Sequence, residues 1–600
     1  MFKRITILAC ALFFFITSIS FAAGLPETGQ KKCYDASGTE IACTGTGQDG
    51  EFQAGFGSSN PRFKKIYCDA SGPCANQGGD CDGNASTDMI KDNLTGLIWP
   101  RNGNLPASIE YWADALTYSN DLTLCGYSDW RLPNVNELGS FYNSGQSDLN
   151  AWLISQGFIN VYTHQYPGYW SSTSVDTTTG PGVGAWVLEG GSIIGSPKSR
   201  QGIDLRYVWP VRGTTAGPTQ LPQTGQATCY DATGTVISCA GTGQDGELKE
   251  GSPWPVPRFT AVYCGDNGPC ADPEFDCDTS DSNNVMLDNL TGLVWTKDAN
   301  LPAGTRQWAD ALTYANDASV CGYTDWRIPN REEFRSLANY GTSDLPVWLN
   351  VEGGFINVPL QTNNCLYWTS TTTSALYTTD AWIFRIRVYP YSNEYLYGSV
   401  VPMGKTQSLY VWPVRGGCIA HFADFDPATF WAAGYIKNLY CKGITTGYPD
   451  NTYRPADFVS RSQMAAFIIR AKFGESFSYS STQHFSDIPN THWAFKYVQK
   501  MYDEGITTGY ADGTYRPSEN VARSQMAAFI IRAKFGESFS YSLTPYFTDI
   551  PDTHWAFKYV QKMYDEEITT GYADGTYRPS QNAGRAQMAT FIARAFLGMP

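Results

Sequence analysis

The sequence predicts a multi-domain chain: two α+β units, each stapled by disulfides, precede an all-α bundle of three repeats with three-fold pseudosymmetry. Three observations predict it. Residues 444–455 recur at 506–517 and 568–579 with the pattern Ile-Thr-Thr-Gly-Tyr-x-Asp-x-Thr-Tyr-Arg-Pro, and Trp431, Trp493 and Trp555 keep the same 62-residue step. A fixed period of this size means copies that bury their apolar faces against one another. Six cysteines, Cys33, Cys43, Cys68, Cys74, Cys81 and Cys125, return 196 residues later as Cys229, Cys239, Cys264, Cys270, Cys277 and Cys321. Finally, 600 residues exceed what one hydrophobic core holds.

The first residues read as a secretory signal, with Lys3 and Arg4 ahead of an apolar stretch at 5–19 and small residues up to Ala23. No later segment approaches 18 apolar residues, so no transmembrane segment is expected in the mature chain. The net charge is −15, and two units more negative once Lys3 and Arg4 are removed, which disfavours nucleic acid as a partner. Export makes disulfides the default reading of the cysteines. Cys33–Cys43 and Cys229–Cys239 are the expected local bridges, and the four other cysteines of each unit leave three pairings open. Cys418–Cys441 would leave Cys365 free. Cys-x-x-Cys pairs and accompanying histidines are lacking, which argues against zinc.

The expected boundaries are 1–23 for the signal, 24–213 and 214–416 for the two units, and 417–479, 480–541 and 542–600 for the repeats. Within a unit, 110–122 reads as a helix with Trp112, Ala115, Leu116 and Ser119 on one face. Asn134 with Glu137, and Asn330 with Glu333, are capping-box patterns that start a second helix. Residues 94–99, 169–173, 185–188 and 206–212 read as strands.

In each repeat a helix is expected from the Trp, with Trp493, Tyr497, Val498 and Met501 on one face, then a turn with glycine at positive φ. A second helix follows, with Met526, Phe529 and Ile530 as its apolar stripe.

Both halves resemble known families. The order Asp-x-x-Thr-Gly-Leu-x-Trp, Trp-x-x-Ala, Gly-Tyr-x-Asp-Trp-Arg-x-Pro, Tyr-Trp and a closing Val-Arg, at about 86–213 and 282–416, resembles the DUF1566 family. That is the C-terminal domain type of the Legionella collagen-like adhesin. The resemblance implies a C-type-lectin-like fold and extracellular ligand binding or adhesion, and no reaction. Residues 418–600 resemble S-layer homology modules, with Phe-x-Asp, the helix-start Trp and the Gly-Tyr turn in three copies.

That second resemblance implies a cell-surface, envelope-associated protein that grips cell-wall polysaccharide carrying an acidic group. Mapped copy by copy, it points to Asp424, Trp431 and Arg461, then Asp487, Trp493 and Arg523, then Asp549, Trp555 and Arg585. The chemistry fits: Arg offers a planar fork for a carboxylate, Trp an apolar face for a sugar ring, and Asp an acceptor for hydroxyls. Each also has a structural reading, with Trp as core, Arg as a cap or ion-pair partner and Asp as an N-terminal cap. The family's Thr-Arg-Ala-Glu stands here as Ser460 to Gln463, Ala522 to Gln525 and Gly584 to Gln587. The first copy lacks the His-Trp pair of His492–Trp493 and His554–Trp555.

No cofactor is expected. Calcium is the one ion left open, at Asp80, Asp82 and Asn84 or at Asp276 and Asp278, beside the reading of these as ordinary acidic loops. An enzyme is not expected: the chain has five histidines, only His164 lies before residue 421, and no Gly-x-Ser-x-Gly, His-Glu-x-x-His or phosphate loop occurs. The alternatives to an anchored ligand-binding protein are a structural S-layer-associated envelope protein and a surface polysaccharide hydrolase.

Overall fold

The computed structural model describes residues 23–599 apart from 58–60, 164–166, 176–183, 199–204, 216, 266–267, 271–276, 278–280, 361–364, 374–376, 388–397, 419–421 and 426–429. All of the expected signal segment but Ala23, together with His164, Asp276 and Asp278, lies outside the described residues.

Each front unit begins with a leader that carries one helical turn, α1 (Asp49–Phe52) in the first. A three-stranded antiparallel sheet follows, β1 (Phe63–Ile66), β2 (Met89–Asp92) and β3 (Ile98–Pro100). Helices α2 (Trp112–Asp121), α3 (Val135–Gly139) and α4 (Leu149–Ser155) lead into β4 (Tyr169–Val175), β5 (Gly184–Glu189) and β6 (Ser192–Pro197). The expected face of α2 is buried. At α3 the capping box forms: Asn134 accepts from the backbone of Glu137, and Glu137 accepts from the backbone of Asn134.

Two strand expectations change. Only Ile98–Pro100 of 94–99 is a strand, because Gly96 closes a turn by donating to Asp92 O. Residues 206–212 make isolated bridges to Glu110, Tyr169, Arg131 and Ile98, and Pro210, which has no N–H to give a ladder, sits among them.

The second unit repeats the plan with α5 (Asp245–Leu248), β7 (Phe259–Val262), β8 (Val285–Asp288), β9 (Leu293–Thr296), α6 (Trp308–Asn316), α7 (Arg331–Ser336) and α8 (Leu345–Val351). Its last strands are β10 (Cys365–Thr372), β11 (Asp380–Arg387), β12 (Ser399–Gly404) and β13 (Val414–Gly416). β6 pairs antiparallel with β12 at Ile193 and Val400, so one six-stranded sheet, β10-β11-β12-β6-β5-β4, runs through both units. One apolar cluster likewise joins Trp99, Trp186 and Trp209 to Trp295 and Trp412. The bridges are Cys33–Cys43, Cys68–Cys125 and Cys74–Cys81, repeated as Cys229–Cys239, Cys264–Cys321 and Cys270–Cys277, with Cys418–Cys441; Cys365 is in no bridge, and its thiol donates to Pro359 O.

The leaders are exchanged between the units. Leader 1 seats on the second unit: Asp49 accepts from Thr28 (2.5 Å) and Thr371 (2.8 Å), Gln30 accepts from Thr372 N (2.9 Å), and Asn330 donates to Ala54 O (2.9 Å). Leader 2 seats on the first: Asp245 accepts from Thr224 (2.6 Å) and Thr173 (2.7 Å), Gln226 from Ser174 N (2.6 Å), and Asn134 donates to Glu250 O (3.1 Å). Behind each aspartate lies a buried bidentate ion pair, Arg327–Glu333 and Arg131–Glu137. One guanidinium thus faces two buried carboxylates in each seam. Burial pushes the Asp49 carboxyl up to about 7 and that of Asp245 up to about 6, against the pull of their threonine hydroxyls.

The tail is helical: α9 (Ala433–Cys441), α10 (Arg461–Phe473), α11 (Phe495–Asp503), α12 (Arg523–Phe535), α13 (Phe557–Asp565) and α14 (Arg585–Leu597). The strips before the second helices close on each other: Val459 N donates to Ala583 O, Ala583 N to Val521 O, and Val521 N to Val459 O. Gly509 sits at φ 67°, where an added Cβ would lie 2.2 Å from the Phe485 ring, so glycine is required on both counts.

Front and tail share a joint. Lys437 of α9 reaches Glu27 and Gln53 O, and Asn438 donates to Gly57 O (3.2 Å). In the later copies Gln499 and Gln561, which match Lys437 in register, bind the preceding connection at Ser480 O and Ser542 O instead. Leader 1 therefore occupies on the first copy the place that a connecting segment occupies on the others.

Candidate functional site

The second helices of the tail start at Arg461, Arg523 and Arg585, each 3% exposed. Gln463 and Gln525 cap these starts by accepting the N–H of Ser460 and Ala522. Each arginine then crosses to another copy. The Nε of Arg461 donates to Tyr515 O (2.6 Å), that of Arg523 to Tyr577 O (2.8 Å), and that of Arg585 back to Tyr453 O (2.7 Å). The described residues make no hydrogen bond to the terminal nitrogens of these three guanidiniums. A buried fork with one N–H satisfied and two nitrogens open is matched to a bidentate acid.

Each guanidinium also lies against an aromatic turn. Arg461 is 4.8 Å from the Tyr510 ring, Arg523 4.9 Å from Tyr572 and Arg585 4.8 Å from Tyr448. Arg516 (3.8 Å), Arg578 (3.9 Å) and Arg454 (4.0 Å) lie close to the same rings. These exposed arginines hold φ near +58° and pair with Asp512, Asp574 and Asp450, whose carboxyls their neighbouring threonine and the arginine hold down at about 2. Gln463, Gln525 and Gln587 donate to the hydroxyls of Tyr448, Tyr510 and Tyr572. An amide does here what the family's glutamate has no proton to do. The three tyrosines and the second arginines stand outside the residues that the family resemblance points to. Their signal was present as identity across all three copies.

The aspartates take a bracing position. Asp424 accepts the N–H groups of Tyr453 and Arg454 (2.9 and 2.6 Å), Asp487 those of Tyr515 and Arg516 (both 2.7 Å), and Asp549 those of Tyr577 and Arg578 (both 2.7 Å). They cap the turn rather than a helix. The tryptophans stand before the helices, not in them, and Trp431, Trp493 and Trp555 are 59%, 57% and 57% exposed. His492 accepts the N–H of Ala494, fixing the bend that turns Trp493 outward, and His554 does the same at Ala556. Arg461 therefore packs on the second copy's turn, not on the turn of its own copy. A groove in this tail draws its cation from one repeat and its ring from the next.

Among the described residues no group of three metal-ligating side chains comes together. Asp80 and Asp82 accept the backbone N–H groups of Gly83 and Asn84 in their own loop.

The Lcl C-terminal domain family matches residues 88–212 and 284–415, and the S-layer homology domain family matches 421–465, 484–527 and 546–589. Over 169 residues the chain is 36% identical to an endoglucanase of Bacillus sp. (strain KSM-635), a match covering 27% of this chain and 17% of that protein. It is 27% identical over 155 residues to the cellulosome-anchoring protein of Acetivibrio thermocellus, covering 25% and 34%. It is 29% identical over 168 residues to the S-layer protein EA1 of Bacillus anthracis, covering 28% and 19%. The chain thus spans about a third or less of the length of these relatives, and its likeness to the one named as an enzyme lies in the S-layer homology part. No described helix is long and apolar enough to cross a membrane.

Proposed function

We propose a division of labour within this cell-surface, envelope-anchored chain of two Lcl C-terminal domains and three S-layer homology domains. The tail, a bundle with three-fold pseudosymmetry, clamps an acidic envelope polysaccharide, and the two front units present a C-type-lectin-like surface to an extracellular glycan or protein. In this reading the boundaries lie at 24–213, 214–416, 417–479, 480–541 and 542–600, with the leaders exchanged across the first of them.

One observation carries the tail's role: the open guanidinium ends of Arg461, Arg523 and Arg585. A carboxylate entering such a groove gains two charge-assisted hydrogen bonds without an ordering cost for the arginine, which neighbouring copies already hold. Trp431, Trp493 and Trp555 supply the exposed ring faces on which a sugar packs. Asp424, Asp487 and Asp549 hold the turns in shape. The binding is noncovalent, and no catalytic residue is assigned.

The test is retention of the full chain on purified envelope polysaccharide, before and after chemical removal of its acidic groups. Replacement of Arg461, Arg523 and Arg585 by Ala is expected to abolish retention, and removal of the acid groups to do the same for the unaltered protein. Undiminished retention by a folded triple variant would overturn the reading.

A further inference from the structure

The second front unit carries a groove that none of the tail chemistry uses. Two cavities, of about 450 and 670 Å³, are both lined by Tyr314 on α6. Asn283 and Asp317 line the first; Arg306, Gln307 and Asp310 line the second. Both volumes fall within the range of small-molecule sites, about 300–1,000 Å³. The groove is built on fixed elements. Tyr314 packs against the apolar cluster of Trp308 and Leu312. Arg306 is locked by two backbone hydrogen bonds to Leu409, and its carbonyl accepts from the Trp368 indole (2.8 Å).

Asn283 is held in place, accepting from Cys321 N and donating to Cys264 O. The described residues make no hydrogen bond or ion pair to the Arg306 guanidinium, the Asp310 or Asp317 carboxylates or the Tyr314 hydroxyl. The guanidinium lies 5.1 Å from the Tyr314 ring. A half-buried ring gives the C–H face of a pyranose an apolar platform. A guanidinium donates to adjacent hydroxyl oxygens, and carboxylates accept hydroxyl protons. One cation against two carboxylates leaves the groove with a net negative charge, which disfavours an acidic chain and suits an uncharged one. The first unit keeps the ring and the carboxylates, as Tyr118, Asp114 and Asp121, but not the cation: 196 residues earlier Glu110 stands for Arg306 and Tyr111 for Gln307.

We propose that the second front unit holds a neutral oligosaccharide at Tyr314, with sugar residues in the two cavities that this side chain lines. This rests on the reading of the front units as ligand-binding, and it names where and what.

The experiment is calorimetric titration of the full chain in EDTA with cellohexaose, mannohexaose and a heparin hexasaccharide. Saturable binding of a neutral hexaose is expected. Tyr314→Ala and Arg306→Glu should each weaken it about tenfold, as the loss of about 1.4 kcal/mol requires. Tyr314→Phe should retain it, which separates ring stacking from misfolding. Failure of both neutral sugars to bind, preference for heparin over them, or equal binding by Tyr314→Ala would overturn the proposal. Retention on envelope polysaccharide is measured on the same preparations. It should be unchanged in Tyr314→Ala, so failure of this site and failure of the anchor are told apart.

Discussion

Asp49 accepts the hydroxyl of Thr371 at 2.8 Å across 322 residues of chain, and in doing so ties the first leader to the second unit. Asp245 mirrors it with Thr173 at 2.7 Å. Each carboxyl stands beside an arginine already claimed by a glutamate, so a neutral seam needs a proton.

That predicts a direction for pH dependence. The folded-state values, about 7 for Asp49 and about 6 for Asp245, lie above the ordinary 3.8. The native state holds the proton more tightly, so this stability is complete below pH 4 and is lost as pH rises through 6 and 7. For Asp49 the loss is on the order of 4 kcal/mol. Urea unfolding from pH 4 to 8 should show the decline, and Asp49→Asn with Asp245→Asn should flatten it. An unchanged slope in the double variant would refute the assignment.

The groove residues of the tail should separate into two kinds. Trp493→Ala and Trp555→Ala, at exposed positions, should weaken polysaccharide retention while shifting stability by less than about 0.5 kcal/mol. Asp487→Ala removes the acceptor of two backbone N–H groups and should cost about 1–3 kcal/mol. Thermal unfolding beside a retention assay distinguishes them.

Two glycines of one turn should respond unequally. Gly509 and Gly513 have φ of 67° and 78°, but an added Cβ meets the Phe485 ring at 2.2 Å in the first and nothing in the second. Gly513→Ala should cost about 1 kcal/mol from backbone strain alone, and Gly509→Ala clearly more. Chemical denaturation of the two variants measures the gap.

Among the bridges, Cys68–Cys125 closes a separation of 57 residues and Cys74–Cys81 one of 7. Loop-closure entropy assigns about 4 kcal/mol to the first and about 2.5 to the second. Paired Cys→Ser replacements should lower Tm in that order.

Much of this architecture is legible in the residues. The 62-residue step marks the three tail copies, the shared six cysteines mark the duplicated units, and Asn134 with Glu137 marks a helix start that forms as expected. The exchange of leaders is not legible, for a physical reason. Thr28 and Thr224, Asp49 and Asp245, and Thr173 and Thr371 are the same residue types in both units, so a leader folded onto its own unit or onto the other satisfies the same hydrogen bonds. The grouping of the tail residues was hidden similarly. Arg461, Arg523 and Arg585 are alike, and nothing local says that each serves the neighbouring turn. The outward Trp493 was obscured because Phe495, Tyr497, Val498 and Met501 fill the helix face that periodicity assigned to it.

The reciprocal seating of the leaders bears on survival outside the cell. A protease that nicks the connection between the front units frees neither of them. Each fragment still holds the other's leader, the second unit stays continuous with the tail, and Lys437 of the tail still grips the first leader at Glu27. Shedding the head from the surface would take at least one more cut, close to Cys418.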